Sequence, residues 1–138
     1  MTVRLKLRLT LLLPGVFFIC ACRQPSGRKV PKELEVSLSL EDSVHHFGSI
    51  PLSQPVDSFD FRFRNEGPGR LVILGHKSPC HCTLVKYTQQ PIEPGEMSFV
   101  RVIYDGRGRP AEYFNKSVLV YTNASALPVK LAFDGRLE

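Results

Sequence analysis

The sequence contains no tryptophan and only four tyrosines. A domain that grips sugars or single-stranded nucleic acid by stacking needs a richer aromatic surface, so that class is set aside. It also lacks any run of five or more Lys/Arg. The formal charge is +5, but Arg4, Lys6 and Arg8 precede every acidic residue; without them 18 − 3 = 15 basic residues face 13 acidic ones, a net of +2. That balance excludes a nucleic-acid-binding stripe. No Ser-His-Asp arrangement or Gly-x-Ser-x-Gly elbow is visible, and Gly106-Arg107-Gly108 is too short for a phosphate loop and lacks the strand–helix context. No segment carries three turns of amphipathic helix. Cysteine is scarce as well: four, with Cys20 and Cys22 near the start and Cys80 and Cys82 in the body. A zinc site closed by two cysteine pairs is therefore out of reach.

What is present begins with an address. Arg4, Lys6 and Arg8 are followed by a nearly continuous apolar run from Leu9 to Ile19. The run is too short to span a bilayer as a mature helix but suits a signal-peptide core. It ends in Ile19-Cys20-Ala21-Cys22, which resembles a bacterial lipobox: an aliphatic residue, a tolerant position, a small residue, then the cysteine that receives lipid. Residues 1–22 are expected to be a lipoprotein signal peptide with Cys22 lipidated. The alternative is ordinary secretion. Residues 23–32 are polar and Pro/Gly-containing and read as a tether. The protein is thus expected to be exported and held on a cell-envelope membrane.

From residue 33 to 138 the apolar period is two, which places each apolar set on one face of a strand. Leu34, Val36, Leu38 and Leu40 alternate with polar residues; so do Phe59, Phe61 and Phe63, and again Leu127, Val129, Leu131 and Phe133. Turn signals separate the runs at Glu66-Gly67-Pro68-Gly69, Glu93-Pro94-Gly95-Glu96, Asp105–Pro110 and Asn123-Ala124-Ser125. About seven strands follow, near 34–40, 43–48, 56–65, 70–77, 82–87, 97–105 and 114–122, with a last one at 127–134. The expectation is a single all-β antiparallel sandwich.

Several stretches in order now carry a resemblance: His46-Phe47-Gly48-Ser49-Ile50, Phe61–Gly67, Leu71-Val72-Ile73-Leu74, Ser78-Pro79-Cys80-His81-Cys82-Thr83, Ile92–Glu96, Tyr104–Pro110 and Val120-Tyr121-Thr122-Asn123. Together they are similar to the domain-of-unknown-function 1573 family over about residues 43–136. The resemblance implies an immunoglobulin-like fold in a bacterial, exported and often lipid-anchored protein. It implies no activity. The family's cysteine motif resembles Cys-Gly-Cys, whereas His81 stands between the cysteines here. Histidine is among the residues enriched at positive φ, so the loop shape of a glycine is open to it.

Cys80-His81-Cys82 is the one constellation with evident chemistry, and three readings stand. An exported pair of cysteines suits a disulfide. Residues i and i+2 of a flat strand lie near the far limit for a bridge, so a turn or bulge is required, and strained, exposed bridges are the reducible ones. Alternatively, two thiolates with His81 and His76 suit copper(I) or zinc. Finally, both thiols could be inert packing. Elsewhere, His45-His46 reads as a surface pair, and Arg107, Arg109 and Lys116 as solvated loop cations rather than an anion site. Asn115-Lys116-Ser117 and Asn123-Ala124-Ser125 match a glycosylation sequon without meaning in a bacterial chain. The expected function is a non-enzymatic, membrane-anchored interaction module without a cofactor, touching the lipid bilayer through its acyl anchor and an envelope protein through its domain, with no nucleic-acid partner. The alternative is a thiol-redox or copper/zinc-binding envelope protein.

Overall fold

The computed structural model describes residues 35–138. The signal peptide, Cys22 and the tether fall outside the described residues. Eight strands follow in chain order: β1 Leu38–Leu40, β2 Val44–Ile50, β3 Val56–Asn65, β4 Ile73–Lys77, β5 Thr83–Tyr87, β6 Met97–Asp105, β7 Glu112–Thr122 and β8 Val129–Leu137. They form two four-stranded sheets, ordered β1-β3-β6-β5 and β2-β8-β7-β4. With β1 and β2 as the halves of one divided first strand, the order is that of an immunoglobulin sandwich, ABED against CFG.

The alternating sequence explains the layers. On β3, Phe61 and Phe63 are buried while Asp60, Arg62 and Arg64 face outward. Phe61 sits across from Val100 and Phe59 across from Val102, so β3 and β6 give one inner face. Phe114, Val118 and Val120 of β7 with Leu131, Phe133 and Leu137 of β8 give the other. Tyr104 and Phe114 stack between the sheets with ring centroids 3.8 Å apart and planes at 13°. Gly135 lies directly opposite Phe114, and a Cβ there would come within 2.7 Å of the Phe114 ring. A glycine at an inward position is what lets that ring lie flat against β8.

Three elements differ from the sequence expectation. β2 runs parallel to β8, although every other neighbouring pair is antiparallel. Side-chain alternation is the same whichever way a partner strand runs, so the pattern carries no sign of this. The link from β1 to β2 is residues 41–43, and it carries the chain from one sheet to the other while keeping its direction. Second, Leu71 does not extend β4; it makes an isolated bridge to Ile92. Third, β8 starts at Val129 and runs on to Leu137, leaving Leu127 in a loop and 76% exposed.

One end of the sandwich is organised by two asparagines. Asn65 is fully buried. Its Nδ2 donates to the carbonyls of Gly69 (2.8 Å) and Ile92 (3.0 Å), and its Oδ1 accepts from the N–H of Gly67. Asn123 accepts from the N–H of Val72 (2.8 Å) and donates to the carbonyl of Arg70 (2.9 Å). The Gly67 N–H and the Gly69 carbonyl, which would otherwise be buried without partners, are satisfied there.

Candidate functional site

The opposite end holds the cysteine loop. Residues 78–82 leave β4 in one sheet and enter β5 in the other, so the loop spans the margin of the sandwich. Cys80 and Cys82 are joined as a disulfide, with Cα atoms 5.2 Å apart. Two steps along a flat strand would cover about 6.6 Å, so the chain is folded at His81. The fold is a turn: the Thr83 N–H donates to the Cys80 carbonyl at 3.3 Å. Ser78 Oγ lies 3.2 Å from that carbonyl and 3.1 Å from the carbonyl of Thr83, and its single proton serves one at a time. The Asp105 N–H donates to the Cys82 carbonyl at 2.8 Å, which fixes the loop to β6. Among the described residues, no residue other than glycine has positive φ. His81 therefore makes the turn with ordinary backbone, and the position does not demand the family's glycine.

The two sulfurs differ in surroundings. Cys82 is 8% exposed and belongs to the core cluster, whereas Cys80 is half-buried and packs against it. His81 points to solvent. Thr83 Oγ1 lies 3.7 Å from Sγ of Cys80 and 3.9 Å from Sγ of Cys82. Bridged sulfurs carry no proton, so the threonine hydroxyl is the donor. The bridge is a weak staple. Closing a loop of three residues constrains the unfolded chain by about 1.6 kcal/mol, roughly half of what a fifteen-residue loop gives.

Histidines and arginines singled out in the sequence are dispersed. His76 lies on β4, exposed, with its ring edge-on to Tyr87 of β5 at 5.7 Å. That contact helps close the margin between the sheets. Among the described residues no group of three or more His, Cys, Asp or Glu is placed to hold a metal ion, so Cys80, His81, Cys82 and His76 do not come together as one. The thiolates a copper or zinc site requires exist here only after reduction. His45 stacks on Phe59 at 3.6 Å and meets Phe47 edge-on at 4.7 Å; burial holds its pKa below the ordinary value. His46 Nδ1 contacts Asp134 at 2.9 Å. Arg107 pairs with Asp105 at 2.5 Å, and its hydrogen bonds lower the Asp105 carboxyl to about 2. Arg109 pairs with Glu112 at 2.9 Å. Both loop arginines thus already have carboxylate partners. Near them the Tyr104 hydroxyl is buried without a hydrogen-bond partner among the described residues, and burial raises its pKa.

Sequence reasoning overlooked the free edges beside the cysteine loop. β4 and β5 each pair on one side only. Leu74 (66% exposed) and Leu84 (50% exposed) lie on them. Leu84 read as an ordinary strand residue because no local pattern marks which strand ends a sheet.

No curated protein matches the chain. A protein of unknown function from Porphyromonas gingivalis W83 is similar in structure, with a TM-score of 0.66 and 14% identity. The similarity covers 79% of this chain, which spans 50% of that one. The VesB protease of Vibrio cholerae matches at a TM-score of 0.48 and 17% identity, over 75% of this chain and 32% of that one. The secreted serine protease VesC from the same organism matches at 0.49 and 10%, over 75% and 23%. The first of these likenesses shows the sandwich fold alone. A family model described as protein of unknown function (DUF1573) matches residues 38–137, nearly the whole described sandwich, and the chain belongs to that family.

Proposed function

We propose that this protein is a membrane-anchored lipoprotein of the bacterial cell envelope, whose immunoglobulin-like domain is a non-catalytic interaction module. The observation that carries the reading is the margin formed by β4 and β5. Each is the edge strand of its own sheet, with one unpaired backbone edge; His76 of β4 meets Tyr87 of β5, and Leu74 and Leu84 are exposed on the two strands. Edge backbone offers a strand-addition surface to an extended partner, and exposed leucines give it apolar contact. The anchor is Cys22, and the polar segment 23–32 gives the domain reach from the bilayer.

The test has two arms. Metabolic labelling with a fatty acid is expected to mark the wild-type chain and to be lost, with membrane association, in Cys22→Ser. A photo-crosslinking residue at Leu84, on the edge strand β5, is expected to give a discrete adduct with an envelope protein, and one at Arg62, on the internal strand β3 of the same sheet, is not. Equal adduct patterns from both positions would sink the interaction reading.

A second reading rests on the unequal burial of Cys80 and Cys82: a thiol-redox role at that loop. A bridge that stabilises little and leaves one sulfur within reach of solvent is suited to being opened.

A further inference from the structure

The thiol-redox reading acquires a direction and a substrate class from the surroundings of the two sulfurs. We infer that the Cys80–Cys82 bridge exchanges with an anionic thiol, which attacks Cys80 and expels Cys82.

Three observations carry this. Access comes first. A thiolate must approach a disulfide sulfur along the S–S axis, and Cys80 is the more open of the two: it is half-buried, whereas Cys82 is 8% exposed within the core cluster. The fate of the leaving sulfur comes second. Cys82 departs as a thiolate into a largely apolar setting, where an unpaired charge is costly. Thr83 Oγ1, itself on a buried residue, stands 3.9 Å from that sulfur and 3.7 Å from Sγ of Cys80; once Cys80 is bonded to the incoming thiol, the charged Cys82 sulfur is the better acceptor for the threonine proton. The third is charge. Pro79, directly before Cys80, lines a surface hollow of about 250 Å³ with Asn115, Lys116, Ser117, Lys130 and Ala132. Two ammonium groups and no carboxylate line it, so an incoming thiol bearing carboxylates is favoured over a neutral one.

The step balances without any outside oxidant. The incoming thiolate forms a bond to Sγ of Cys80 as the Sγ–Sγ bond breaks, and the electron pair of that bond leaves on Cys82. The Cys82 thiolate then takes a proton from water. One disulfide is exchanged for another. A second thiolate attacking the mixed disulfide completes a two-electron reduction of the bridge and releases the oxidised thiol.

Reduced glutathione, a tripeptide thiol with two carboxylates, is the probe. The oxidised full chain is exposed to it under native conditions for seconds and quenched with an alkylating agent, and the peptide spanning residues 78–86 is sequenced by mass spectrometry. The expected product carries glutathione on Cys80 and the alkyl group on Cys82. Lys116→Gln is expected to slow the reaction with glutathione several-fold and to leave the rate with neutral 2-mercaptoethanol unchanged. Thr83→Val should slow both thiols by about tenfold, the scale of one hydrogen bond to an ionised group, with Thr83→Ser restoring the rate. Circular dichroism of each variant separates a misfolded domain from a slowed one, and the wild-type product map needs no variant. Glutathione found on Cys82 overturns the direction while leaving the redox reading intact. A bridge that resists millimolar thiol until the domain is denatured overturns both.

Discussion

The two ends of this sandwich are held by different chemistry. At one end, neutral hydrogen bonds from Asn65 and Asn123, with one exposed ion pair between Arg70 and Glu93, tie the loops that follow β3 and β7 to the loops before β4 and β6. At the other, a short covalent bridge and partly exposed ion pairs (Arg107 with Asp105, Arg109 with Glu112) do the tying, and the Tyr104 hydroxyl has no hydrogen-bond partner among the described residues. A buried amide with every partner in place is hard to exchange for water, because each partner it abandons is stranded. Exposed ion pairs contribute little, and the bridge closes too small a loop to contribute much. The asparagine end is therefore the rigid end. The cysteine end is expected to open first, and its loop joins the two edge strands β4 and β5.

That contrast can be broken at either end. Asn65→Ala strands the Gly69 carbonyl and the Gly67 N–H in the interior and leaves the Ile92 carbonyl with the Leu71 N–H alone, and is expected to cost about 3 kcal/mol in urea unfolding. Reduction of the Cys80–Cys82 bridge is expected to lower stability by only about 1.6 kcal/mol, with the denaturant slope unchanged. Asn123→Ala, at a solvent-exposed position, should cost about 1 kcal/mol. A loss on bridge reduction as large as that of Asn65→Ala would erase the distinction between the ends.

The smallest expected effect is electrostatic. Arg107 holds the Asp105 carboxyl at about 2, below its ordinary 3.8. A carboxyl with a depressed folded pKa contributes stability that is present above its unfolded value and lost as pH falls through the folded one. The Asp105–Arg107 contribution should therefore disappear between about pH 4 and pH 2, and Asp105→Asn should flatten the thermal midpoint against pH in that window. Arg107 is exposed, so solvent screens the pair and the change in slope is small.

The sandwich was legible in the sequence where alternation is clean. Phe59, Phe61 and Phe63 and the turn at residues 66–69 placed β3 correctly, and the family resemblance implied an immunoglobulin-like sandwich. Partner direction was not legible, since β2 alternates identically whether β8 runs with it or against it. Leu127 alternates with the apolar residues of β8 yet lies outside it, because the turn after Asn123 takes up two more residues than the pattern suggests. Gly135 hid an inward position behind the smallest side chain, for a reason that resides in Phe114 on another strand. Asn65 and Asn123 were visible as residues of the family pattern, but their work depends on loops distant in sequence. At the cysteines, the pair itself was plain. What the pattern could not carry was the difference in burial between the two sulfurs, which arises from where β5 joins the core.

Hydrogen exchange of the oxidised and reduced chain, read by mass spectrometry, tests the contrast most directly. The account predicts that reduction speeds exchange across residues 78–87 while residues 63–71 and 92–96 remain as protected as before. Equal acceleration at both ends, or acceleration confined to the asparagine end, would contradict it.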